Sequence, residues 1–209
     1  MGSTRATDEM EALSRTVARL RPWPVRGKPL PNLLFFTDPE RTPDPERAAE
    51  RLPIGAAVVF RAFGAPDAAA RGRRLRQITR RRGLTLLVGA DAALALEIEA
   101  DGLHLPERLA AQAPDLRVAH PDWLITLAAH DLAAALAGAA TGADALVVSP
   151  VFPSRSPSAG APLGVDGLKQ IVEAVEAPVY ALGGVRADTA TLLLDTGIVG
   201  IAAVEALSA

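Results

Sequence analysis

From residue 33 onward the chain alternates short apolar runs with longer mixed stretches. The runs are LLFFT (33–37), AAVVF (56–60), LTLLV (84–88), DGLHL (101–105), LITLA (124–128), ALVVS (145–149), PVYAL (178–182) and VGIAA (199–203). Each is nearly continuous in hydrophobicity, the pattern of a strand buried on both faces. Between them, helical patterns occupy 67–82, 91–98, 131–140, 165–175 and 187–195. Eight strands alternating with helices predict an α/β fold, a single (β/α)8 TIM barrel over residues 33–209. A doubly wound open sheet is the competitor, and the strand count favours closure.

Residues 1–32 form an N-terminal helical extension in the same reading. Met10, Leu13, Val17 and Leu20 make an amphipathic stripe. Thr7 is placed to cap it, with Asp8 and Glu9 favouring its N-terminal dipole. Pro22 and Pro24 end it, and RPWPVRGKPLP (21–31) reads as a linker. The expectation is a helix packed on the outside of the barrel.

Composition narrows the function classes. Apolar residues make up 49% but aromatics only 4%, which suits alanine-rich packed helices better than a β-sandwich. The net charge of −2 sets up no global field for nucleic acid or an anionic membrane. Helix 67–82 does carry Arg71, Arg73, Arg74, Arg76, Arg80, Arg81 and Arg82. No aromatic platform interleaves them, so a solvated outer face is the favoured reading. With no cysteine, disulfides, thiolate catalysis and cysteine metal sites are excluded. No apolar run nears the roughly 20 residues of a membrane span, and no secretory apolar segment opens the chain. A cytoplasmic setting is expected.

The sixth run stops abruptly at Ser149-Pro150. Behind it come Pro153, Pro157 and Pro162, Gly160 and Gly164, three serines and Arg155. Proline excludes a helix or an interior strand here, and loops of this length are commonly functional.

Barrels place their chemistry at the C-terminal ends of the strands. Those ends carry Thr37-Asp38, Arg61, Gly89-Ala90-Asp91, His104 with Pro106-Glu107-Arg108, His130-Asp131, the proline-serine loop, Gly183-Gly184 and Glu205. Asp38 and Asp131 also suit helix caps, and Arg61 also suits a simple ion pair. His104 lies inside an apolar run, where a satisfied core histidine competes with a site role. His130 stands between strand and helix, a better place for a functional imidazole. Two glycines after the seventh strand let backbone approach a ligand, where barrels often bind phosphate.

GADALVVSPVFPSRSPSAGAPLGVDGLKQI, APVYALGGV and GIAAVEAL together resemble the thiamin-phosphate synthase family, which includes the thiazole tautomerases. GADAALALEIEADGLHLPE and AAHDLAAAL fit the same pattern. The resemblance implies a (β/α)8 barrel acting in thiamin biosynthesis. Its synthases join a pyrimidine pyrophosphate to a thiazole phosphate with magnesium on the pyrophosphate. Its tautomerases move a proton on a thiazole carboxylate phosphate. Ser154 and Ser156 match the hydroxyl positions of the family's phosphate loop. The loop's lysine position is Pro157, with Arg155 the nearest cation.

Other positions depart from the pattern. The family's Gln-x-Arg-x-Lys after strand two reads Val59-Phe60-Arg61-Ala62-Phe63. Its Asn-Asp after strand three reads Gly89-Ala90, and a second metal-ligand aspartate falls at Leu109. A serine before the strand-five histidine is Ala128, and a phosphate-loop serine after strand eight is Glu205. The family's magnesium positions are thus unmatched, and Asp91 or Glu107 replaces them only through a shifted register.

Carried onto this chain, the resemblance makes His130 the proton-transfer group and Arg61 its catalytic partner. Asp38, His104, Ser154, Arg155, Ser156, Gly183 and Gly184 become the substrate contacts. Expected partners are a small phosphorylated thiazole or pyrimidine and a homodimer, with no nucleic acid and no membrane. Two readings follow: an enzyme of thiamin synthesis, synthase-like or tautomerase-like, or a non-catalytic binder of a phosphorylated precursor.

Overall fold

The computed structural model describes residues 2–154 and 160–208, with side chains from residue 8 onward. The barrel strands are β1 (Leu33–Phe36), β2 (Ala57–Phe60), β3 (Thr85–Gly89), β4 (Gly102–Leu105), β5 (Leu124–Ala129), β6 (Ala145–Val148), β7 (Val179–Ala181) and β8 (Gly200–Ala203). All neighbouring pairs are parallel, and β8 closes on β1. The helices are α1 (Gly2–Val17), α2 (Pro45–Arg51), α3 (Ala68–Arg82), α4 (Ala92–Glu97), α5 (Ala113–Ala119), α6 (Leu132–Ala139), α7 (Gly164–Ala174) and α8 (Ala187–Ala190).

Every strand is apolar on both faces because it serves two cores. Leu33 and Phe35, Val58 and Phe60, Leu86 and Val88, and Ile201 face the helices. Leu34, Phe36, Val59, Leu87, Val147, Tyr180 and Ala202 fill the barrel interior. This two-residue alternation sets which strand-end side chains face the mouth. Phe60 faces out, so Arg61 turns in; Leu103 and Leu105 face out, so His104 lies inside. The same step carries His130 inward after Ala129.

The extension is built differently from the linker expected. α1 starts at Gly2, so Thr7 lies within the helix rather than at its cap, and the helix ends at Val17, before the prolines. Met10, Leu13, Val17 and Leu20 are buried as the stripe requires. They pack α1 against α8 and the closing turn Glu205–Leu207. α1 thus covers the outside of the barrel beside α8 and the turn that β8 runs into. The proline-rich segment forms a small antiparallel hairpin, Pro24–Val25 with Lys28–Pro29. Arg26 and Gly27 at its tip both have positive φ, the two-residue turn of a tight hairpin.

Five of the seven arginines of α3 are held by neighbouring carboxylates, and Arg82 donates to Leu52 O. Arg73 pairs with Glu97, Arg74 with Glu46, Arg80 with Glu99 and Arg81 with Glu50. Arg76 grips Asp101 in bidentate fashion at 2.7 and 2.8 Å. The cluster therefore binds the outer layer together, as expected of a solvated face. Among the described residues, no helix is long and apolar enough to cross a membrane.

Candidate active site

A cavity of about 1090 Å³ opens at the C-terminal ends of the strands. Its floor is the inner face of β1 and β4. His104 is buried, its Nδ1 3.0 Å from Thr126 Oγ1, and its ring meets Phe36 edge-on at 4.9 Å. The contact follows from register, since His104 pairs with Thr126 across β4 and β5. Burial, with smaller contributions from Arg61 and His130, pushes the His104 imidazole down to about 3. It is therefore neutral near pH 7, a cavity-lining histidine satisfied by a hydroxyl.

This has a consequence for acid stability. The unfolded chain takes up the His104 proton near the usual imidazole value of about 6.5, whereas the folded chain resists until about 3. Stability should fall as pH drops through that window, by about 1.4 kcal/mol per pH unit from this group. Urea midpoints between about pH 7 and pH 4 should flatten in His104→Gln relative to wild type. Parallel curves for the two proteins would contradict the assignment.

Arg61 is fixed on the β2 side. Its Nε donates to Thr37 O at 2.7 Å and its Nη2 to Asp38 Oδ2 at 3.3 Å. Its guanidinium lies over the rings of Phe36 and Phe63, at 5.6 and 5.3 Å. Burial lowers it to about 10, against the favourable charge of Asp38 and with the repulsion of Arg41. Asp38, expected as a substrate contact, is tied to Arg41 and Arg61, both of which line the cavity. Its carboxylate accepts from Arg41 Nη2 at 2.7 Å and from the N–H groups of Glu40 and Arg41. Those contacts, led by the Arg41 side chain, lower it to about 2 against the opposing effect of burial. Its work is to aim Arg61 and Arg41, and both arginines line the cavity.

His130 stands at the mouth, half-exposed, with Nδ1 2.6 Å from Glu107 Oε2. Asp131 beside it caps α6 by accepting from Ala134 N at 2.8 Å. Sequence reasoning named Glu107 only as a metal substitute. The signal for its pairing lies in the adjacency of β4 and β5, whose following loops meet.

The loop after β6 is stitched to the loop after β7. Val151 N donates to Leu182 O and Phe152 N to Gly183 O, each at 2.9 Å. Gly183 and Gly184 both have positive φ. A Cβ on Gly183 would lie 2.7 Å from Pro150 Cα, and one on Gly184 2.5 Å from Pro153 O. The close approach that calls for glycine is therefore first to this loop, rather than to a ligand as the sequence suggested. Among the described residues, no hydrogen bond engages the N–H groups of Gly183, Gly184 or Val185. Gly183, Gly184, Val185 and Ser154 line the cavity. Arg155 and Ser156 lie outside the described residues.

Two carboxylates also line this side: Glu9, missed as a site residue, and Glu205, named at the end of the eighth strand. Glu9 of α1 accepts from Ala187 N at 2.6 Å, and Glu205 opens the last turn. Glu9 was read only as a dipole partner for its own helix; the packing of α1 beside α8 brings it to the cavity.

Magnesium calls for hard oxygen ligands. Gly89, Ala90 and Leu109 supply no side-chain oxygen, Asp91 caps α4 through Leu94 N at 2.9 Å, and Glu107 holds His130. Among the described residues, no group of three or more His, Asp or Glu is placed to hold a metal. At the positions matched to the family's magnesium ligands, therefore, this chain carries no side-chain carboxylate.

The parallel eight-stranded barrel, with a cavity at the C-terminal ends of its strands and an imidazole–carboxylate pair beside it, has the architecture of barrel enzymes with sites at the strand ends. Comparison with known proteins narrows this. The sequence model of the thiamine monophosphate synthase family matches residues 33–207. The thiamine-phosphate synthase of Pyrococcus furiosus is 34% identical over 179 residues, covering 84% of this chain and 86% of that protein. A putative thiamine-phosphate synthase 2 of Aquifex aeolicus is 34% identical over 133 residues, covering 64% and 71%. The solved thiamine phosphate pyrophosphorylase of Pyrococcus furiosus superposes with a TM-score of 0.72 at 31% identity, covering 86% of this chain and 88% of that one. The chain belongs to the thiamine monophosphate synthase family, and its role lies in thiamin biosynthesis.

Proposed function

We propose that the cavity binds a thiazole phosphate and that His130 moves a proton on the thiazole ring. The observation that carries this reading is the 2.6 Å contact between His130 Nδ1 and Glu107 Oε2 beside the cavity. A carboxylate on one ring nitrogen fixes the tautomer, so Nδ1 keeps its proton and Nε2 offers a lone pair to the ligand. The same carboxylate stabilises the imidazolium that forms when Nε2 takes a proton. Returning that proton to the side-chain carbon attached to the ring completes an isomerisation that leaves the ring aromatic, with no leaving group and no change of oxidation state. The N–H groups of Gly183, Gly184 and Val185, with Ser154, are the donors we assign to the phosphate.

The second reading is the joining of thiazole phosphate to a pyrimidine pyrophosphate, favoured by the match to the synthases. It asks the site to neutralise a departing pyrophosphate, and such charge stabilisation is often the largest catalytic effect. Arg61 is the matched family cation, and its Nε and Nη2 are already engaged by Thr37 and Asp38. The isomerisation makes no such demand. Cytoplasmic placement and a homodimer belong to the same proposal, and sedimentation of the purified chain checks the second.

Calorimetry with 4-methyl-5-hydroxyethylthiazole phosphate and its free alcohol tests the binding claim. The phosphate should bind at least about tenfold tighter, a difference of about 1.4 kcal/mol. Adding magnesium should change the affinity for inorganic pyrophosphate by less than the same factor. Equal affinity for phosphate and alcohol would remove the phosphate assignment. A larger magnesium effect would show that another carboxylate set holds the ion and would favour the second reading.

A further inference from the structure

We propose that Phe63 is a specificity-determining residue that recognises the aromatic ring of the ligand by its face. This rests on the reading that the cavity takes a phosphorylated heterocycle, and it names how the ring is selected.

The backbone supplies the first observation. Ala65 N donates to Ala62 O at 3.0 Å, closing a four-residue turn after β2. Its two central residues, Phe63 and Gly64, have φ of 48° and 74°. Turns with two positive φ values favour Asn, Asp or Gly at the first central place. A phenylalanine there is strained, because its Cβ crowds the backbone. The side chain is not packed into the core, since Phe63 is 68% exposed. Strain held beside a cavity by a side chain outside the core points to function.

The side chain supplies the second. Phe63 lines the cavity, with the Arg61 guanidinium over its ring at 5.3 Å. The same guanidinium lies over Phe36, which meets His104 edge-on. These contacts join Phe63, which is largely exposed, to the rings deeper in the cavity. Its sequence neighbours in the lining, Ala62 and Gly64, offer no polar side-chain atom, and Ala90 and Ala92 line the cavity with Asp91 between them. A planar apolar ring face suits an exposed phenyl backed by a guanidinium. The place is also where the resembled family carries a lysine. Here a cation has given way to an aromatic face, with Arg61 kept as its backing.

Two esters separate the contributions: 4-methyl-5-hydroxyethylthiazole phosphate and n-pentyl phosphate, a saturated chain of similar reach. Both are titrated into wild type, Phe63→Leu and Phe63→Gly. Wild type should prefer the thiazole ester by roughly tenfold, the usual worth of an aromatic pair. The preference should fall close to unity in both variants while pentyl phosphate binds as before. Phe63→Gly should also melt no lower than wild type, because glycine lifts the backbone strain. A thiazole preference retained in both variants would overturn the proposal. So would equal losses for the two esters, which would mark Phe63 as a prop for Arg61. If wild type binds neither ester, the phosphate reading fails instead. Ring recognition is then read with the thiazole alcohol against n-pentanol in the same three proteins, where loss of preference supports it and retention overturns it.

Discussion

His130→Asn should lower the rate of proton transfer on a thiazole carboxylate phosphate by about 10²–10⁴-fold, the usual contribution of a positioned acid–base group. Asparagine keeps a polar side chain of similar size but has no basic nitrogen. Affinity for the phosphate ester should change little, because the assigned phosphate donors sit after β6 and β7 and His130 sits after β5. Single-turnover kinetics with saturating ligand, beside calorimetry, separates the two effects. A loss of affinity with an unchanged rate would make His130 a ligand contact rather than the proton-transfer group. Glu107→Gln should produce a smaller fall in rate, since the amide still orients the ring but no longer stabilises its charged form.

The second large effect is expected at the opposite end of the barrel. Asp144 is buried before β6 and accepts from Ile125 N at 2.7 Å. Arg26 reaches it from the N-terminal hairpin at 3.1 Å, and Arg117 from α5. Both arginines also bond Trp123 O, at 2.8 and 2.7 Å. Asp144→Ala would leave two guanidinium groups facing each other and a buried N–H without its acceptor. The cost should be about 3 kcal/mol, the low end for breaking a buried charged pair because Arg26 is partly exposed. Asp144→Asn keeps an acceptor for Ile125 N and should cost less. Urea unfolding checks both. A loss below about 1 kcal/mol in Asp144→Ala would mean the network adds no more than an ordinary surface pair.

Residues of this kind show where reading the sequence stopped. The strands were legible because burial on both faces leaves a dense apolar signature: the run at 84–88 becomes Thr85–Gly89, and that at 199–203 becomes Gly200–Ala203. Helix α2 was missed because Pro43 and Pro45 mask its start. Yet Asp44 caps it through Arg47 N at 2.9 Å, and Pro45 sits at its first position, a combination that can be recognised. α5 was missed for a similar reason, with Pro114 near its start and a 3₁₀ turn running into it.

The candidate site was legible where a strand end fixes a side chain. Arg61, His104 and His130 line the cavity because alternation along β2, β4 and β5 turns them inward. Partnerships across loops were not legible. Asp38 reads as a ligand contact until Arg41 and Arg61 are seen on its carboxylate. Glu107 reads as a strand-end carboxylate that reaches a metal only through a shifted register, and its pairing with His130 shows only in the structure. Glu9 lies 178 residues from Ala187 in sequence, and only the docking of α1 into the place beside β8 joins them.

The most direct test of the account is proton NMR of the purified chain with thiazole carboxylate phosphate in deuterated buffer. The account expects interconversion of the two tautomers with deuterium entering the side-chain carbon attached to the ring. Wild type should catalyse it, and His130→Asn should slow it by the factor given above. Ligand that binds tightly yet shows neither interconversion nor exchange with wild-type protein would contradict the catalytic claim and leave the chain a binder of its phosphorylated ligand.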